Sequence, residues 1–373
     1  MKYYIIAGEA SGDLHASNLM RHLKEKDAQA NFRCWGGDLM KAQGGVLVKH
    51  YKDLAFMGFL EVLLNIGTIL KNLSFCKKDI IQFQPDVLIL VDYPGFNLRI
   101  AEFAKSKGLK VFYYISPQIW AWKQGRVHQI KKIVDRMFVI LPFESDFYQK
   151  FDYKVDYVGH PLLDAIENFK SSEIGQKAFL EKYGLENKPV IAVLPGSRAQ
   201  EISKILETML QISPSYPDYQ FVIAGAPSIT TDYFTKYLKG GNVKMVHNQT
   251  YELLQHSTAA LVTSGTATLE TALFGIPEVV CYSGSKISYF IAKKLIKVKY
   301  ISLVNLIMDE PVVKELIQDE FNPFQLKQEL NKLLFDPKKK QFLLVKYQEL
   351  KKKLGESGAS ARTADLMLKY LKE

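Results

Sequence analysis

Twice in this chain an unbroken apolar run ends in a glycine-containing turn that opens a helix, and few folds accept that arrangement. The first instance is Tyr3-Tyr4-Ile5-Ile6-Ala7, followed by Gly8-Glu9-Ala10-Ser11-Gly12-Asp13 and helical character over 14–24. The second is Val190-Ile191-Ala192-Val193-Leu194, followed by Pro195-Gly196-Ser197-Arg198 and a helix from about Glu201. Strands that are apolar throughout need cover on both faces, which points to a parallel sheet wrapped by helices. Further runs repeat the signal at 87–91, 111–115, 137–141, 155–158, 221–224 and 259–262, with a helix-like stretch at 99–107. The pattern predicts an α/β protein with two doubly wound parallel-sheet domains facing one another.

Length agrees with that division. At roughly 150 residues per domain, 373 residues make two domains, each large enough to close its own core. The join falls between Gly159 and Pro189. We assign 1–165 to an N-terminal domain, 166–345 to a C-terminal domain and 346–373 to a closing helix. From Pro323 onward the chain reads as lysine-rich helices, broken at Asp336-Pro337 and at Gly355-Glu356-Ser357-Gly358.

Composition narrows the classes. Cys34, Cys76 and Cys281 are far apart, so neither a zinc cluster nor a disulfide framework is expected, and a reducing, cytosolic setting fits best. The start carries no secretory signal, and no stretch of about 18 uncharged apolar residues is present to span a membrane. The 49 Lys plus Arg exceed the 39 Asp plus Glu by 10. That excess favours an anionic partner. Without zinc-finger spacing or an RNP1-like aromatic motif, nucleic acid is not expected.

Ligands of open parallel sheets bind beyond the carboxyl ends of the strands. Candidate loops are Gly8 to Asp13, Gly196-Ser197-Arg198, Gly225-Ala226-Pro227 and Ser264-Gly265-Thr266. None is a full GxGxxG or a P-loop, and a nicotinamide oxidoreductase is disfavoured accordingly. The run Thr263-Ser264-Gly265-Thr266-Ala267-Thr268-Leu269-Glu270 is the most informative. Its small residues let a diphosphate approach the backbone, and Glu270, one turn on, can accept from ribose hydroxyls. Arg198, at the end of a hydrophobic strand, offers a guanidinium for a phosphate or for an ion pair.

Taken together, the landmarks resemble the lipid-A-disaccharide synthases, family 19 glycosyltransferases of the GT-B architecture with two Rossmann-like domains and an interdomain cleft. They are Gly8 to Asp13, Asp92-Tyr93-Pro94-Gly95-Phe96-Asn97, Ser116-Pro117-Gln118-Ile119-Trp120-Ala121-Trp122, and Leu141-Pro142-Phe143-Glu144. The series continues with Val158-Gly159-His160-Pro161-Leu162, Leu194-Pro195-Gly196-Ser197-Arg198, Ser264-Gly265-Thr266-Ala267 and Ser302-Leu303-Val304-Asn305-Leu306. They occur in family order across most of the chain. Two depart from the family pattern: Asp-Tyr-Pro-Gly-Phe-Asn stands for Asp-Ala-Pro-x-Phe-Asn, and Leu-Val-Asn-Leu for Leu-Pro-Asn-Leu.

The resemblance implies inverting transfer of 2,3-diacylglucosamine from UDP-2,3-diacylglucosamine to 2,3-diacylglucosamine 1-phosphate. The products are β(1→6) lipid A disaccharide 1-phosphate and UDP. It implies no cofactor, no bound metal for the chemistry, and a closing helix that packs back on the N-terminal domain. Asp92, directly after an apolar strand, is our choice of general base, with Glu9 as the alternative acid. Arg198 meets the charge of the departing diphosphate. Gly196, Ser197, Ser264, Gly265, Thr266, Glu270 and Asn305 complete the nucleotide-sugar set. Glu9, Ser11, Asn97 and Trp120 are assigned to the acceptor. His160 is read as positioning the linker and His15 as a helix-surface residue.

Both substrates carry acyl chains, so the enzyme must reach a bilayer from the cytoplasmic face of a Gram-negative inner membrane. Residues 56–72, read as a helix, carry a polar stripe of Glu61, Asn65, Thr68 and Asn72. Phe59, Leu60, Leu63 and Leu64 are predicted to face the membrane, and Lys293, Lys294, Lys297 and Lys299 to attract its anionic lipids. A homodimer is left open. The competing readings are another GT-B UDP-sugar transferase or epimerase, and a non-catalytic nucleotide-binding membrane protein.

Overall fold

A computed structural model describes residues 1–54, 66–170, 174–197, 199–227, 229–238, 242–284 and 298–373. The membrane-facing candidates Phe59, Leu60, Leu63 and Leu64, together with Arg198, Lys293, Lys294 and Lys297, lie outside the described residues. The chain divides into two compact units, Met1–Asp164 with Glu356–Glu373, and Ala165–Gly355.

Unit one is built on seven strands: β1 (Lys2–Ala7), β2 (Asn31–Gly36), β3 (Val46–His50), β4 (Val87–Val91), β5 (Lys110–Tyr114), β6 (Arg136–Val139) and β7 (Asp156–Tyr157). Their order is β3-β2-β1-β4-β5-β6-β7, and every pairing is parallel. Unit two holds β8 (Val190–Leu194), β9 (Gln220–Gly225), β10 (Val243–His247), β11 (Ser257–Thr263), β12 (Glu278–Tyr282) and β13 (Lys314–Ile317), in the order β10-β9-β8-β11-β12-β13. These too pair in parallel throughout. The apolar runs become the central strands because only there are both faces covered. All five residues of β4 are inaccessible, and burying each such side chain contributes about 1.5–3 kcal/mol.

In both sheets the chain leaves the centre in one direction and later returns to continue in the other. The switch lies between β1 and β4 in unit one and between β8 and β11 in unit two. Connections that leave toward opposite sides open a crevice at the carboxyl ends.

Unit one is closed by the helix Ala359–Lys372, which packs on the helix Ala10–Lys26. Asp164, 8 % exposed, caps it by accepting from the amides of Gly358 (2.5 Å), Ala359 (3.2 Å) and Ser360 (2.9 Å). Arg362 adds a second tie. Its guanidinium donates to the carbonyls of Val158 (3.0 Å), Glu356 (3.0 Å) and Ser357 (2.7 Å).

The helix Ile66–Phe83 departs from its sequence pattern at one position of the polar stripe, while Thr68 of that stripe is exposed. Asn72, expected on the polar stripe, is buried, whereas Ile66 and Leu70 are each more than half exposed. Among the described residues no helix is long and apolar enough to cross a membrane.

Candidate functional site

The crevice of unit one carries a cluster of carboxyls. Ala7 and Val91 are register partners at the ends of β1 and β4. Two residues beyond Ala7, Glu9 stands in an extended conformation at the N-cap position of the helix Ala10–Lys26. Immediately beyond Val91 stands Asp92. Ser11 is exposed in the first turn of the same helix.

Asp92 and Tyr93 both adopt left-handed backbone, with φ of 46° and 51°. Such conformations cost on the order of 1–3 kcal/mol for a non-glycine residue and persist where surrounding structure imposes them. Here Tyr93 lays its ring over Gly8, where a Cβ would lie 2.3 Å from the ring. Its hydroxyl donates to the Leu54 carbonyl at 3.1 Å. Gly8 is therefore required for close approach of a side chain, not for turn geometry.

Asp92 is half-buried. Burial pushes its carboxyl up to about 7, with the neighbouring Glu9 and Glu144 charges adding to the rise and the Tyr93 amide opposing it. A carboxyl in that range can take a proton near neutral pH and still face solvent.

Three residues assigned to the acceptor or nucleotide have other tasks. Asn97 is inaccessible, and its amide nitrogen donates to the Asp92 carbonyl at 2.7 Å, with Val91 and Ile6 carbonyls at 3.3 and 3.5 Å. It cannot touch an acceptor. Trp120 is 7 % exposed and packs edge-on against Phe143 at 4.9 Å. The accessible ring of that loop is Trp122, 44 % exposed, with the Lys123 ammonium 4.4 Å and the Arg126 guanidinium 5.8 Å from its centre. Asn305 is also buried. It bonds the Val313 carbonyl and amide and Glu315, all at 2.9 Å, so it braces a loop and has no donor left for a diphosphate.

Sequence reasoning gave Glu144 no role. It is 1 % exposed, takes the Ser116 hydroxyl on one oxygen, and takes the Ile140 and Leu141 amides (3.2 and 2.9 Å) on the other. It thereby ties the loop after β5 to the loop after β6. Burial raises it to about 7, although these donors pull it down. His15, expected on a helix surface, is buried beside His160. Burial lowers the two to about 4 and about 3, so both are neutral at pH 7.

The crevice of unit two is different in chemistry. Gly196 takes φ +101°, a conformation suited to glycine, and exposed Ser197 follows it. After β11, Gly265 adopts φ 157° with ψ −163°, a region essentially closed to other residues. Among the described residues, no atom other than those of its chain neighbours lies within 4 Å of where its Cβ would sit. Glycine is needed there for its backbone. Thr266 is exposed at the start of the helix Thr266–Leu273, and the Ser264 hydroxyl donates to the Ile301 carbonyl at 2.9 Å.

Glu270 lies half-buried one turn along that helix. Burial raises its carboxyl, and the Tyr251 hydroxyl, donating at 2.9 Å, partly offsets the rise. The Tyr251 ring is held by Phe169 (5.5 Å) and Phe274 (5.2 Å). Sequence gave no sign of Tyr251, which lies 19 positions from Glu270. Among the described residues no group of three His, Cys, Asp or Glu is placed to hold a metal ion.

The two parallel-sheet units have counterparts in fold among known proteins. The likeness in fold is to a UDP-GlcNAc 2-epimerase from Neisseria meningitidis, at TM-score 0.70 and 14 % identity over 99 % of this chain and 100 % of that one. The calicheamicin glycosyltransferase superposes at TM-score 0.62 with 15 % identity over 100 % and 98 %. They show a shared GT-B type of fold. Similarity in sequence is much higher to lipid-A-disaccharide synthases. That of Geobacter metallireducens is 39 % identical over 98 % of this chain and 96 % of its own. That of Coxiella burnetii is 35 % identical over 97 % and 96 %. The family model described as lipid-A-disaccharide synthetase matches residues 3–368, and the chain belongs to that family.

Proposed function

We propose that the chain transfers 2,3-diacylglucosamine from UDP-2,3-diacylglucosamine to the 6-hydroxyl of 2,3-diacylglucosamine 1-phosphate. The acceptor oxygen attacks the anomeric carbon with inversion and gives its proton to Asp92. The bond from that carbon to UDP breaks, and the electron pair leaves on the diphosphate. Arg198, with amides around Gly196, Gly265 and Thr266, meets that charge. Glu270 accepts from ribose hydroxyls, and Glu9 with Ser11 holds the acceptor sugar.

The observation carrying this reading is Asp92, a half-buried carboxyl at the carboxyl end of β4, raised to about 7. The test is UDP release by the purified chain from that donor and that acceptor. The reading fails if UDP appears equally fast with an acceptor lacking the 6-hydroxyl.

The ribose assignment makes Tyr251 matter for nucleotide affinity. Tyr251→Phe is expected to weaken UDP binding roughly 3–10-fold, the worth of about one hydrogen bond. It should weaken 2′-deoxy-UDP less. Calorimetric titration reads both, and equal losses would detach Glu270 from the ribose.

The acyl chains call for contact with a bilayer. Exposed Ile66 and Leu70 are the described part of a face that continues into residues 59–64 by sequence. Ile66→Ser with Leu70→Ser is expected to reduce flotation with anionic liposomes by a few-fold, and unchanged flotation would exclude this face.

A further inference from the structure

Parallel strands that diverge into separate helices leave carbonyls at their ends without ladder partners. At the end of β1 and β4 one side chain lies close to three carbonyls. The Asn97 amide nitrogen lies 2.7 Å from the Asp92 carbonyl, 3.3 Å from that of Val91 and 3.5 Å from that of Ile6. The Asp92 carbonyl has a second donor, the Tyr113 hydroxyl from β5, at 2.6 Å. The Asp92 amide donates in turn to the Tyr114 carbonyl at 3.1 Å. Asp92 and Tyr93 are successive left-handed non-glycine residues, so the turn needs restraint from outside itself. Asn97 and Tyr113 are both inaccessible, and neither can reach a substrate.

We infer that Asn97 and Tyr113 are positioning residues for the general base, clamping the Asp92 carbonyl so that its carboxyl projects into the crevice while staying partly shielded from water. The inference rests on the reading of Asp92 as that base. The clamp acts on the backbone, and both donors are satisfied without touching the carboxyl. The groups facing that carboxyl are Glu9 at the end of β1, Glu144 beyond β6, and the amide of Tyr93 in its own turn. Tyr113, itself facing Asp92, is also felt by Tyr148 and Arg126. Loosening the turn leaves those charges in place and admits water. The base becomes both misdirected and weaker.

The test uses the full chain with Tyr113→Phe, which keeps the ring and removes only the hydroxyl, and with Asn97→Ala. The readouts are kcat, KM for each substrate, UDP affinity, and the acid limb of kcat/KM against pH. The expected result is a kcat lowered roughly 10–100-fold, the scale of a small misplacement of a reacting group. KM and UDP affinity should change less than about twofold, and the acid limb should move to lower pH. Should Asn97→Ala not fold, Tyr113→Phe carries the test alone. A folded Tyr113→Phe with unchanged kcat and unchanged acid limb overturns the inference, as does a rise in acceptor KM at constant kcat. Asp92→Asn run in parallel separates the two claims. Near-normal turnover there removes the base itself. Lost turnover there beside normal Tyr113→Phe and Asn97→Ala removes only the clamp.

Discussion

Replacing Asp92 with asparagine is expected to lower kcat by roughly 10²–10⁴-fold, the usual contribution of a positioned general base. UDP affinity should not change, because the proposed nucleotide loops belong to the other unit. The native enzyme should lose kcat/KM about tenfold per pH unit below about 7, where the Asp92 carboxyl takes up its proton. The same substitution should stabilise the protein. A carboxyl whose folded value is raised binds its proton more tightly in the folded chain. Its favourable contribution is complete below the ordinary carboxylate range and is lost as pH rises toward about 7. Above that, the folded chain holds a shielded charge beside Glu9 and Glu144. Asparagine removes that charge, for a gain of roughly 1–2 kcal/mol after discounting for solvent at a half-buried group. Denaturant titration at pH 8.5 should show the gain, and at pH 4 it should vanish. An asparagine variant that turns over normally, or one no more stable at alkaline pH, contradicts the assignment.

The second large effect concerns Asp164. Asp164→Ala is expected to destabilise unit one by roughly 2–4 kcal/mol. It removes an acceptor that holds three amides at the start of the helix Ala359–Lys372. Hydrogen bonds to a charged group contribute about 1.5–3 kcal/mol, and a lost helix cap about 0.5–2. The stranded amides are largely buried, since Ala359 and Ser360 are inaccessible. Asp164→Asn should recover part of the loss, because its amide oxygen still accepts from one or two donors. Limited proteolysis should cut the variant first between 355 and 362. A variant as stable and as protease-resistant as the parent would mean that Arg362 alone secures this helix.

Much of the fold was legible because the central strands declare themselves. Val87–Val91 and Val190–Leu194 are continuous apolar runs whose limits match the observed strands. The strands that escaped notice, β2, β3, β10, β12 and β13, mix polar and apolar residues. Three of them, β3, β10 and β13, are sheet edges, where one side of the ladder is open and polar residues are tolerated. Helix breaks at Pro337 and at residues 355–358 were readable from proline and glycine, whose backbone limits act locally.

The candidate site was legible in part for the same reason. Asp92, Glu9 and Gly265 are marked by their place just beyond apolar runs, and chain order alone determines that. Asn97, Asn305 and Trp120 carry chemistry suited to ligands, yet packing turns them inward onto backbone carbonyls, a loop and Phe143. Glu144 and Tyr251 were missed because their partners, Ser116 and Glu270, are distant in sequence. A one-dimensional pattern holds no trace of such encounters.

The matching strand orders carry one last consequence. β1 occupies the address that β8 occupies in the other sheet, and β4 answers to β11. At these paired addresses one scaffold displays Glu9 and Asp92, and its twin displays neutral Gly196, Ser264 and Gly265. Two nearly interchangeable cradles thus differ in charge. A pyrophosphate approaching the acidic one meets repulsion, which under the proposed function favours the other berth before any side chain recognises the base.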